Sequence, residues 1–108
     1  MNDDYTKRRL AVVMKVASLS VWKFPVRYND FVEVEMPARA KLLHVNEQYG
    51  TPCIWALVDP QQKKEVRRFR LAGTGHPIDI PADKLSHVGS YLTAGGQLVF
   101  HLFEILGD

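Results

Sequence analysis

From Phe31 to the C-terminus, apolar and polar side chains alternate with the two-residue period of a β-strand, and Gly and Pro break the alternation at short intervals. In Phe31-Val32-Glu33-Val34-Glu35-Met36, residues Val32, Val34 and Met36 share one face and Glu33 and Glu35 the other. This predicts a half-buried strand ended by Pro37. Through Lys41–Gln48 the same count puts Leu43 and Val45 on one face with Lys41 and Glu47. Tyr49-Gly50-Thr51-Pro52 reads as a turn, since Gly accepts a positive φ and Pro lacks a donor. The run Cys53–Val58 is apolar on both faces, as expected of a central strand covered on each side.

Asp59-Pro60 and the polar Gln61–Lys64 form the next turn. In the strand Glu65–Leu71, Arg67, Phe69 and Leu71 face one way and Val66, Arg68 and Arg70 the other. Gly73-Thr74-Gly75-His76-Pro77 opens a long connection to Asp83, and the runs His87–Leu92 and Leu98–Ile105 flank a hairpin turn at Ala94–Gln97.

With Ser20–Phe24 as the first, about seven strands are predicted. Their short links require antiparallel neighbours, because a parallel crossover needs a dozen or more residues. The expected fold is all-β: a single antiparallel β-sandwich or partly open barrel over residues 20–106. Residues 1–19 form an N-terminal extension, with Tyr5 to Val16 either a short helix or a flexible arm. The predicted core is Val32, Val34, Leu43, Val45, Ile54, Trp55, Leu57, Phe69, Val88, Val99, Phe100, Leu102 and Phe103.

A chain of 108 residues has room for one such core. Its formal charge of +2 is too small to imply a nucleic-acid partner, and none is expected. The single cysteine, Cys53, excludes an internal disulfide and suits a reducing compartment. No run reaches the ~18 apolar residues of a membrane span. Lys7-Arg8-Arg9 ahead of Leu10–Met14 has the order of an export signal. Asp3 and Asp4 precede it, however, and no small-residue cleavage site follows, so the expectation is a cytoplasmic protein. Homo-oligomerisation is expected as a way to cover sheet edges.

Candidate chemistry is sparse. His44, His76, His87 and His101 show no HxH or HxxxH spacing, so no metal is expected; His101, alternating with Phe103 and Ile105, reads as a hydrogen-bonded histidine at the edge of the core. Nothing near Cys53 in the sequence marks it as a nucleophile, and neither catalytic residues nor cofactors are assigned. Gly73-Thr74-Gly75-His76 suits an anion-binding turn, although it matches neither the Walker nor the dinucleotide pattern. The strongest feature is Lys63–Arg70, with five cations against one anion. On a regular strand Arg68 and Arg70 lie about 6–7 Å apart on one face, a spacing that suits phosphate. The competing readings are a charged edge that resists aggregation, or cross-strand pairing with Glu33 and Glu35. The candidate ligand-binding residues are therefore Arg68, Arg70, Gly73, Thr74, Gly75 and His76.

The stretch Gly50-Thr51-Pro52-Cys53-Ile54-Trp55-Ala56-Leu57-Val58-Asp59-Pro60 resembles the hallmark of a family of short uncharacterised proteins from bacteriophages and bacterial genomes. So do Gly73–Ile78, His87-Val88-Gly89, Val99–Glu104 and Val21-Trp22-Lys23-Phe24-Pro25. The likeness spans roughly residues 20–104 and implies a phage or prophage setting, with no activity to transfer. The expected function is a non-catalytic phage-type binding protein, an inhibitor or sequestering factor acting on a host process, that holds an anionic nucleotide-like ligand. The alternative is a protein–protein interaction or virion-associated structural module. An enzyme built on the histidines ranks behind both.

Overall fold

A computed structural model describes residues 18–107, in which seven strands form two antiparallel sheets. The expectation of a helix or arm over Tyr5 to Val16 lies outside the described residues. The strands are β1 (Ser20–Pro25), β2 (Phe31–Pro37), β3 (Lys41–Gln48), β4 (Thr51–Val58), β5 (Lys64–Gly73), β6 (Leu85–Thr93) and β7 (Leu98–Ile105). One sheet runs β1-β4-β3 and the other β2-β5-β7-β6, and the two pack face to face as a sandwich that does not close into a barrel.

Alternation produces the core. Val32, Val34 and Met36 of β2 meet Phe69 and Leu71 of β5, Leu102 of β7, and Ile54, Ala56 and Val58 of β4. The β3–β4 hairpin turns on Tyr49 and Gly50, both at positive φ (52° and 81°), the two-residue geometry whose twist matches the flanking strands. The strand resumes at Thr51, inside the expected turn.

Two bulges change what faces inward. In β3 the register slips between Leu42 and His44, so Leu42 opposite Ala56 packs on the core and Leu43, expected inside, is exposed. In β6 a second slip falls between His87 and Gly89. Trp55, Leu57, Val99 and Phe103, also expected in the core, are half-buried instead. Trp55 and Leu57 lie on the face of β4 away from the partner sheet, where the Trp55 ring packs tilted against His44 with ring centroids 5.8 Å apart.

The edges β3 and β6 meet without pairing. A Cβ on Gly89 would sit 2.9 Å from Cγ1 of Val45, so β6 comes this close to β3 only because position 89 has no side chain. At the opposite edge of the sandwich, β1 and β2 are joined through residues 26–30.

Candidate functional site

β5 carries the arginines, and its register sends them to three different environments. Arg67 faces inward beside Phe69. Its Nε and Nη2 donate to the two carboxylate oxygens of Glu104 at 2.6 and 2.7 Å, and Nη1 donates to the Ala40 carbonyl. These bonds to Glu104 raise the Arg67 pKa above its usual value.

Arg68 and Arg70 share the outer face, as the alternation requires, but the paired cradle expected from them does not form. Arg70 is only 6% exposed. Its guanidinium donates to the carbonyls of Leu71, of Pro77 at 3.0 Å and of Asp30 at 3.3 Å, and it lies 5.3 Å from the centroid of the Phe31 ring. The connection after β5 and the corner before β2 fold over it, so Arg70 ties two loops to the sheet. Arg68 stays exposed, bonded only to the Gly107 carbonyl at 3.2 Å among the described residues. The cross-strand alternative is not seen either: Glu33 is opposite Arg68 in register, but no ion pair joins them among the described residues.

What Arg68 does line is a cleft of about 410 Å³ with Arg39, Arg67, Glu65, Leu106 and Gly107. The strand register opens it. β5 pairs with β2 back to Lys64, but with β7 only from Phe69 onward. Leu106 turns away to donate to the Lys84 carbonyl at 2.7 Å, leaving Glu65–Arg68 without a partner strand on that side among the described residues. Glu104 is committed to Arg67, so among the described residues lining the cleft Arg39 and Arg68 face Glu65 alone and positive charge is in excess. Arg39 had no sequence signal beyond its charge; its positive φ of 63° at the turn after β2 brings it to the cleft.

The Gly73–His76 turn is formed as its composition suggests. Gly75 takes φ 90° and the His76 amide donates to the Gly73 carbonyl at 3.1 Å. The His76 ring folds back over Gly73, where an added Cβ would lie 3.2 Å from its Cε1. The turn does not join Arg68. It joins β7 and β6 instead: Thr74 Oγ1 is 2.7 Å from His101 Nε2, His101 Nδ1 is 2.7 Å from Ser90 Oγ, and Ser90 Oγ is 3.0 Å from His87 Nε2. Two of the four scattered histidines thus meet through a serine that sequence spacing did not single out. The reading of His101 as hydrogen-bonded agrees with its place here, half-buried on the outer face with Phe103 and Ile105.

A separate polar group spans the two sheets. Tyr28 Oη donates to Glu47 at 2.6 Å and Tyr91 Oη to Tyr28 Oη at 3.2 Å. Bonds from Thr93 and Tyr28 hold the Glu47 carboxyl below its usual pKa, while burial pushes the Tyr91 phenol well above its own. Among the described residues, no group of three or more His, Cys, Asp and Glu is arranged to hold a metal ion, and no helix is long and apolar enough to cross a membrane.

Residues 18–106 match the family described as a domain of unknown function, DUF7352, and the chain belongs to that family. No curated protein and no solved structure matches it.

Proposed function

We propose that this member of the DUF7352 family is a non-catalytic binding protein that holds a small, nucleotide-like anion in the cleft at Arg39, Arg67 and Arg68. One observation carries the reading: an exposed, weakly committed guanidinium, Arg68, stands in a cleft of about 410 Å³ beside a second exposed arginine, Arg39, and an unpaired length of β5. Arginine forks bind phosphate and carboxylate oxygens in pairs, and backbone N–H groups with no partner strand add donors to the same space. The site keeps Arg68 from the sequence expectation and replaces Arg70, whose donors are already bonded, with Arg39; Arg67, bonded to Glu104 and Ala40, forms a wall of the cleft. The resemblance to phage and bacterial proteins supports a role in a phage or prophage setting, in the host cytoplasm, as an inhibitor or sequestering factor.

A second reading, a module that binds another protein, rests on the tip of the β6–β7 hairpin. Leu92 and Leu98 are 64% and 52% exposed there. A thermal-shift screen with inorganic pyrophosphate and a nucleotide panel separates the two. A ligand at 100 times its Kd stabilises the native state by about 2.7 kcal/mol, and Arg68→Ala should abolish the shift. Silence across the panel would sink the anion reading and leave the hairpin tip as the functional surface.

A further inference from the structure

We infer that Ser90 is an activated nucleophile: an acyl-acceptor site on the outer face of the four-stranded sheet, independent of the arginine cleft. The side chains that make it come from three separated segments, the turn after β5, the middle of β6 and the middle of β7. Register brings them together, because Ser90 lies directly opposite His101.

Activation requires one tautomer of the His101 ring, and the neighbouring groups are placed to accept it. Thr74 Oγ1 lies 3.4 Å from the Val99 carbonyl, to which it can only donate. With its proton turned to that carbonyl, it accepts from His101 Nε2–H across 2.7 Å. With Nε2 protonated, the neutral ring presents a bare Nδ1, and the Ser90 hydroxyl donates to it across 2.7 Å. Ser90 Oγ in turn accepts from His87 Nε2–H at 3.0 Å. In this tautomer the serine proton points at a base that a third group orients, the arrangement that activates hydroxyl nucleophiles.

Ser90 is exposed, so an electrophile reaches it. The next cross-strand pair on the same face, Leu92 with Val99, offers apolar contact beside it. The matching reagent class is an ester of a small apolar acyl group. In the step, Ser90 Oγ forms a bond to the ester carbonyl carbon while its proton passes to His101 Nδ1. The carbonyl electron pair moves onto oxygen and returns, the bond to the leaving oxygen breaks, and the imidazolium proton goes to that oxygen. The products are acyl-Ser90 and the free alcohol or phenol. His101 is the base, His87 holds the attacking oxygen, and Thr74 is a positioning residue.

The probe is p-nitrophenyl acetate on the full chain, read by nitrophenolate release, intact mass and peptide mapping. The expected result is a single acetyl group on Ser90. His101→Gln should slow its formation on the order of 10²–10⁴-fold, the usual contribution of a general base. Thr74→Val should slow it as well and Thr74→Ser restore it, which a merely structural role for the hydroxyl would not require. Acetyl groups on lysines alone, or none, would overturn the assignment. Ser90→Cys supplies a second reading: iodoacetamide should alkylate the new thiol faster than buried Cys53, and adding His101→Gln should slow it. A Ser90→Cys rate indifferent to His101 would also overturn it.

Discussion

Replacing Gly89 with Ala tests the seam where the two sheets meet most closely. The new Cβ would lie 2.9 Å from Val45 Cγ1, closer than real Cβ contacts come, and Val45 is only 1% exposed, so it has no free space to retreat into. The backbone at 89 is not in the left-handed region, so the penalty is steric alone. Overpacking of this kind costs about 1–3 kcal/mol. Val45→Ala removes the offending methyl together with its partner. Alone it should cost about 2–3 kcal/mol, from roughly 0.8 kcal/mol per buried methyl plus the cavity left behind. In the double variant the methyl added at position 89 occupies part of that cavity, so the combined loss should fall short of the sum by at least about 1 kcal/mol. Urea unfolding of the four proteins, with m unchanged, measures all the terms. A neutral Gly89→Ala, or a cycle additive within about 0.5 kcal/mol, would refute the close approach of β3 and β6.

Two further outcomes follow from the polar interior. Arg70→Lys should destabilise the protein by about 1–3 kcal/mol in the same assay, because an ammonium cannot span the carbonyls of Asp30, Leu71 and Pro77; a loss below about 0.5 kcal/mol would count against the clamp. At alkaline pH, Tyr91 ionises near pH 10 in the unfolded chain but only at higher pH in the fold. Its contribution is therefore complete below about pH 10 and declines as the pH rises above it. Urea unfolding across that range should show the decline, less steep in Tyr91→Phe; identical slopes for the two proteins would be the contrary result.

The sandwich was legible because period-two alternation needs only neighbouring residues. Val32, Val34 and Met36 face the core as counted, and Arg67 and Phe69 share a side as counted. Leu43 was misplaced because a bulge shifts the count by one, and no composition signal near Leu42-Leu43-His44 marks it. The face of Arg70 was read correctly but its burial was not, since that depends on Phe31 and Pro77 arriving from elsewhere in the chain. The Thr74–His101–Ser90 chain was hidden for the same reason: its members are 27 and 11 positions apart, and strand register alone brings them together. The cleft was half legible. Arg68 carried its charge in plain view, whereas the divergence of β7 from β5 that opens a space beside it is a property of the assembled sheet.

Backbone amide mapping by NMR, with 15N-labelled protein titrated by inorganic pyrophosphate, addresses the binding proposal most directly. Saturable shifts should concentrate at Arg39, Glu65–Arg68, Leu106 and Gly107, the residues around the cleft. Shifts centred on Gly73–His76, or a spectrum unchanged at millimolar pyrophosphate, would contradict it.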